Sequence, residues 1–199
     1  MKVWSLEGAE AVGLTVWHGP VVGALAFSPD GTRGAFGGVD GHVRFFDLGR
    51  AELVGGVLPH DSTVNDIAFA PDGKTVLTAC SDHRARAWRL DAVAGTGRGV
   101  RPEGSIANVV WSPSGPRVLV TTYENTIRLW DLDTGRAAGP AISQPEGIQA
   151  VDLSRDETRA VASDWGTVAR VWDLRTGGPV GKPLQHEGLV VQAAFSPDG

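Results

Sequence analysis

Short apolar stretches of five or six residues alternate with polar turns along the whole chain. Val64–Phe69, residues 75–79 and residues 85–90 are examples, and each has the length and bounding turn residues of a β-strand. The first two flank a Pro-Asp-Gly turn at residues 71–73, where proline presets φ and glycine tolerates a positive φ. A weaker fourth strand is predicted near residues 97–101. Helical periodicity of useful length is missing, so the pattern predicts an all-β chain.

The same pattern repeats every 42 residues, which divides the chain into equivalent units. The turn motif Phe-Ser-Pro-Asp-Gly and its relatives start at Phe27, Phe69, Trp111, Leu153 and Phe195. A second motif with the same period ends at Leu48, Leu90, Leu132 and Leu174. A third column consists of Gly13, Gly55, Gly97, Gly139 and Gly181. Three columns in phase predict a repeat protein whose unit is four short strands.

At these positions the chain resembles the WD-repeat family of β-propellers over essentially its whole length. Trp130-Asp131 and Trp172-Asp173 end two of the third strands. The resemblance implies an all-β propeller of four-stranded antiparallel blades in an incomplete ring, within a single region 1–199. We expect four full blades and a partial blade at each end, at about 1–17, 20–58, 61–101, 103–143, 145–185 and 187–199.

Three explanations of an incomplete ring stay open. The favoured one is that the sequence is a fragment of a longer propeller protein. A self-assembling arc completed by another copy or by a partner is the second, and a self-sufficient monomer is the third.

The motif Asp-Leu-Asp-Thr-Gly at residues 131–135 is similar to bacterial members of the family.

The resemblance also implies a structural hydrogen-bond network inside a blade. In the family it joins a histidine before the first strand, a hydroxyl on the second, an aspartate in the following turn and a tryptophan on the third. In this chain the matching residues are His60, Thr78, Asp82 and Trp88. The other units keep only parts of this set.

The position before the aspartate column is the strongest candidate for partner binding, because in the family it opens onto the face that binds partners. It holds Val39, Ser81, Tyr123 and Trp165. Tyrosine and tryptophan are enriched at interaction hot spots. Asn65 and Asp66 begin a strand and are predicted to line the same face. Ordinary turn packing is the competing interpretation of these residues.

Composition narrows the range of partners. The formal net charge is −5, which disfavours nucleic acid and anionic membranes because both require a basic surface. The single cysteine, Cys80, can form neither an internal disulfide nor a cysteine-based metal cage, and it suits a cytoplasmic location. Basic residues two positions before the tryptophan column are predicted to pack or form ion pairs: Lys2, Arg44, Arg86, Arg128 and Arg170.

Motifs for catalysis are missing from the sequence, which has no nucleophile elbow, phosphate loop or His-Glu-x-x-His. We therefore predict a non-catalytic protein–protein interaction scaffold without a cofactor or a metal. The resemblance to bacterial members of the family implies that it is the docking or sensing part of a larger bacterial signalling protein. An enzyme or metal-binding propeller remains the alternative, with a central-channel site near His42 and His83, and the self-assembling arc is a further one.

Overall fold

The computed structural model describes residues 2–5, 12–15, 21–50, 52–91 and 98–196, the first two stretches through their strand pairing alone. The described residues form nineteen strands in five antiparallel sheets and contain no helix. The predicted all-β class and the four-stranded repeating unit are confirmed. No described segment is a helix long and apolar enough to cross a membrane.

Four larger sheets follow one another along the chain, after a two-stranded sheet of β1 (Lys2–Ser5) and β2 (Val12–Thr15). Sheet 1 consists of β3 (Val22–Phe27), β4 (Arg33–Gly38), β5 (His42–Asp47) and β6 (Glu52–Pro59). Sheet 2 consists of β7 (Val64–Phe69), β8 (Thr75–Cys80), β9 (Arg84–Arg89) and β10 (Arg98–Val100). In each sheet, strands adjacent in sequence pair with each other.

The remaining two sheets repeat this order. Sheet 3 consists of β11 (Ile106–Trp111), β12 (Arg117–Thr122), β13 (Thr126–Asp131), β14 (Arg136–Ala137) and β15 (Ile142–Ser143). Sheet 4 consists of β16 (Ile148–Leu153), β17 (Arg159–Asp164), β18 (Val168–Asp173) and β19 (Leu184–Gln185). In sheet 3 both β14 and β15 pair with β13, so the fourth strand is divided. Pro140 lies in the gap, where it has no N–H to donate to the ladder.

The second strand of each sheet forms the core of the molecule. In β4, β8, β12 and β17 every residue after the first is buried. Leu77, Val100, Ile106 and Val118 join sheets 2 and 3 in one apolar cluster. A second cluster between sheets 3 and 4 consists of Leu119, Ile127, Leu129, Ile142, Ile148, Leu153, Ala160, Ala162, Trp172 and Leu174. The sheets therefore stack face to face, as the blades of a propeller do.

The first strands of consecutive sheets lie beside one another, and each carries a register shift at the same place. The extra residues at these bulges are Gly23, Asn65, Ala107 and Gln149. A β-bulge bends the strand locally and changes the direction of the side chain it carries. The bulges therefore recur at the end of the sheets where the candidate face was predicted.

The ends of the described region are less regular. Lys2 lies opposite Thr15, the same register that Arg86 and Gly99 adopt 84 residues later. Residues 186–196 form no ladder, although the N–H of Phe195 donates to Asp152 at 2.8 Å. The predicted partial blades stay predictions, since the turn at 197–199 and the side chains of residues 1–20 lie outside the described residues.

Candidate interaction face

One end of the sheets is built from the turn between second and third strands and the loop that leads into each first strand. A backbone hydrogen bond joins the two segments in all four sheets. The N–H groups of Val39, Ser81, Tyr123 and Trp165 donate to the carbonyls of Val21, Thr63, Ser105 and Gly147, at 3.4, 2.9, 2.9 and 3.2 Å. The four residues of the predicted partner-binding column thus occupy equivalent positions on one face, which we call the turn face.

Tyr123 and Trp165 expose large aromatic side chains on the turn face. Tyr123 is 56% exposed and Trp165 is 63% exposed. The Trp165 ring lies against Gly147, where an added Cβ would come within 2.1 Å of the ring. The ring therefore lies against the backbone on one side and is open to solvent on the other.

Asn65 and Ser81 use their polar groups inside the protein. The amide Nδ2 of Asn65 donates to Ser81 Oγ at 2.9 Å and to the carbonyl of Ile106 in the next sheet at 2.7 Å. The hydroxyl of Ser105 in turn donates to the carbonyl of Ser81 at 3.2 Å. These residues fix sheet 3 against sheet 2 beneath the turn face.

Asp66 makes a second link between the same two sheets. Its carboxylate accepts hydrogen bonds from the N–H of Val109 in sheet 3 at 2.9 Å and from the N–H of Ile67 at 2.8 Å. Burial raises the pKa of Asp66 from 3.8 to about 6, since the two backbone donors compensate only part of the lost hydration. Asp66 therefore serves first as a clamp between sheets.

The predicted structural network is centred on the hydroxyl of Thr78. His60 Nε2 lies 2.7 Å from Thr78 Oγ1, and Trp88 Nε1 donates to the same oxygen at 3.0 Å. Burial, and then the charge of Arg86, lower the pKa of His60, so the ring favours its neutral form. Asp82 bonds instead to Arg86, at 2.6 and 3.1 Å.

The third-strand tryptophans of sheets 3 and 4 have no hydroxyl at the position of Thr78. In sheet 4 the ring of Trp172 donates from Nε1 to Gln144 Oε1 at 3.2 Å, because Ala162 replaces the hydroxyl that Thr78 provides in sheet 2. In sheet 3 Val120 stands at that position, and Trp130 Nε1 is buried without a hydrogen-bond partner. The histidine, hydroxyl and tryptophan of the predicted network are therefore joined in sheet 2, where Thr78 supplies the hydroxyl, while Asp82 bonds to Arg86.

In the predicted column of basic residues, the arginines of sheets 1, 2 and 4 form ion pairs within their own sheets. Arg44 bonds Asp40 at 2.7 Å, and Arg86 bonds Asp82 in the same way. In sheet 3 Glu124 stands at the aspartate position, but its Oε1 accepts the N–H of Ser105, and Arg128 donates instead to the carbonyl of Gly139 at 3.0 Å. The side chains of these arginines are thus used for internal contacts.

Asp164 replaces the missing aspartate of sheet 4 and was not predicted. It accepts hydrogen bonds from the N–H groups of Gly166 and Val168 and from Arg170. Burial opposes its ionisation, but these donors outweigh burial and hold the pKa of Asp164 below 3.8. One feature of the sequence pointed to this role. Gly166 interrupts the aspartate column, and Asp164 is an acidic residue two positions before it.

Both histidines considered for a metal site lie among the described residues. His42 Nδ1 lies 2.7 Å from the carbonyl of Asp40, and His83 occupies the left-handed region with φ of 63°. Among the described residues, no group of three or more histidines, cysteines and acids is placed to hold a metal ion.

Comparison with known families agrees with this architecture. The family model described as "WD domain, G-beta repeat" matches residues 13–47, 53–89 and 100–131, which together cover just over half of the chain. Comparison with curated proteins gives no match. Sheet 4 lies outside the matched stretches and nevertheless has the same strand order as sheets 1 and 2.

Proposed function

Because this chain belongs to the WD-repeat family, we propose that it is a non-catalytic scaffold that binds a protein or peptide on its turn face. WD-repeat domains act in general as interaction scaffolds. The observation that carries the proposal is the pair of exposed aromatic rings at one repeated position, Tyr123 and Trp165. Their backbones are fixed by hydrogen bonds, so little backbone conformational entropy is lost when a partner covers them.

A peptide selection tests the proposed face. The full chain is immobilised, peptides are selected from a random displayed library, and the affinity of each selected peptide is measured by calorimetry. We expect Tyr123→Ala combined with Trp165→Ala to weaken binding at least tenfold. The thermal unfolding midpoint should change little, because both side chains are largely exposed.

The matched control removes exposed apolar surface elsewhere. Leu53 and Val57 lie on the outer strand β6 and are 50% and 48% exposed. Their replacement by alanine should leave affinity unchanged. If no peptide is selected, or if the selected peptides bind the aromatic double variant as well as the original chain, the proposal is wrong.

We further propose that the chain serves in the cytoplasm as the docking or sensing part of a larger bacterial signalling protein. The support is the Asp-Leu-Asp-Thr-Gly motif at residues 131–135, which is similar to bacterial members of the family. Sequencing the DNA on either side of this reading frame is the test. An adjoining kinase or ATPase domain is expected, and a eukaryotic source would refute the proposal.

A further inference from the structure

The segments around Tyr123 and Trp165 carry an excess of negative charge. The two turns that hold these rings and the three loops beside them are residues 122–126, 164–168, 101–105, 143–147 and 185–190. They contain four carboxylates besides the ion-paired Asp164, namely Glu103, Glu124, Glu146 and Glu187, and a single basic residue of fixed charge, Arg101. All four glutamates are exposed. The surface beside the aromatic rings is therefore acidic.

Backbone contacts bring this charge next to the rings. Glu146 immediately precedes Gly147, which lies against the Trp165 ring and whose carbonyl accepts the backbone N–H of Trp165. Glu103 lies two residues before Ser105, which accepts the N–H of Tyr123. Glu124 follows Tyr123 directly, and its Oε1 accepts the N–H of Ser105 at 3.3 Å. Each exposed ring thus has a carboxylate on a neighbouring residue or on the loop to which it is bonded.

The opposite end of the sheets differs, because its carboxylates are interspersed with a similar number of lysines and arginines. Arg89 bonds Asp91 at 2.7 Å, and Arg98 bonds Asp133. Arg117 reaches across to Glu157 at 2.8 Å. The excess of carboxylates over fixed cations is thus found in the turn-face segments, beside the aromatic side chains.

We propose that the turn face binds a basic, extended peptide, whose lysine or arginine side chains lie against the Tyr123 and Trp165 rings. The inference rests on the proposed function and specifies the chemistry of its partner. Aromatic faces attract cations, and nearby carboxylates strengthen that attraction. The same carboxylates repel the phosphates of nucleic acids and of anionic membranes. Two rings on neighbouring sheets favour a chain with several cations over a single small cation.

Synthetic peptides of defined charge provide the test. The probes are peptides of about twelve residues in which lysine and arginine alternate with glycine and serine, and matched peptides with glutamate or glutamine at the charged positions. Fluorescence anisotropy should show that the basic peptide binds the full chain at least tenfold more tightly than either control. The affinity should fall several-fold as salt rises, because exposed charges are screened.

Charge variants locate the binding. Glu103→Gln combined with Glu146→Gln should weaken binding of the basic peptide about tenfold, and so should the Tyr123→Ala and Trp165→Ala pair. The control is Glu52→Gln combined with Asp133→Asn, which changes the net charge equally and lies away from the turn face. If the control weakens binding as much as the glutamate pair, the attraction is nonspecific and the inference is wrong.

The outcomes separate this inference from the proposed function. If library peptides require Tyr123 and Trp165 but are neutral or acidic, the basic partner is refuted and the interaction face stands. If basic peptides bind equally well to the aromatic double variant, the inference is refuted as well. If selected peptides of every charge ignore both rings, the proposed function itself fails.

Discussion

The carboxylate of Glu157 in sheet 4 accepts a hydrogen bond from Arg117 Nη1 in sheet 3 at 2.8 Å, and also from the hydroxyls of Ser112 and Ser114. The backbone of Glu157 has φ of 59°, a region that favours glycine. Gly73 stands at the equivalent position of sheet 2, with φ of 64°. Sheet 4 therefore adopts a strained backbone where its carboxylate links two sheets.

Two substitutions at Glu157 separate the link from the strain. Glu157→Ala removes the carboxylate and keeps a Cβ in the left-handed region, so we expect a loss of about 1–2 kcal/mol in the free energy of unfolding. Glu157→Gly also removes the carboxylate, but glycine adopts this positive φ without strain. We therefore expect the glycine variant to be roughly 1 kcal/mol more stable than the alanine variant. Urea denaturation measures both. An alanine variant as stable as the original, or more stable than the glycine variant, contradicts this account.

Asp164 should matter more for stability than Asp40, although each pairs with the arginine of its sheet. The side chain of Asp164 is 4% exposed and that of Asp40 is 21% exposed. Asp164→Asn replaces a buried acceptor of three hydrogen bonds, and we expect a loss of roughly 2–3 kcal/mol. Asp40→Asn should cost under about 1 kcal/mol. Chemical denaturation of both variants is the measurement, and equal losses would refute the argument.

The raised pKa of Asp66 predicts that this residue makes the free energy of unfolding fall as the pH rises. Its pKa rises from 3.8 to about 6 on folding, so between these values the folded chain binds more protons at this site than the unfolded chain. Its contribution to stability is therefore complete below pH 3.8 and is lost as the pH rises through about 6. In Asp66→Asn this contribution is absent. The difference in unfolding free energy between the two proteins should change over that interval, and a constant difference would contradict the assignment.

The repeating sheets could be predicted closely, whereas the contacts between them could not. The strands of sheet 2 match the predicted positions within a residue or two, because turn chemistry and the 42-residue period mark their ends. Asn65 and Asp66 were predicted on the partner face, but their hydrogen bonds reach residues 41 and 43 positions away in the next sheet. Such bonds depend on how the sheets stack, which no local pattern encodes.

Thr78 and Val120 occupy equivalent positions in sheets 2 and 3 and allow a paired experiment. Thr78→Val leaves Trp88 Nε1 and His60 Nε2 without their shared partner, so we expect a loss of about 2–3 kcal/mol in the free energy of unfolding. Val120→Thr places a hydroxyl beside Trp130 Nε1, which is buried without a partner. The new hydroxyl can accept from the indole, as Thr78 does from Trp88.

The two substitutions exchange groups of nearly the same shape in opposite directions. Because the threonine in sheet 3 satisfies a buried donor, Val120→Thr should be neutral or stabilise the protein by up to about 1 kcal/mol. Guanidinium denaturation of both variants gives the comparison. If Val120→Thr lowers the free energy of unfolding as much as Thr78→Val does, the loss comes from exchanging a hydroxyl and a methyl group inside the core. The tryptophan hydrogen bond would then not explain why sheet 2 has a threonine at this position.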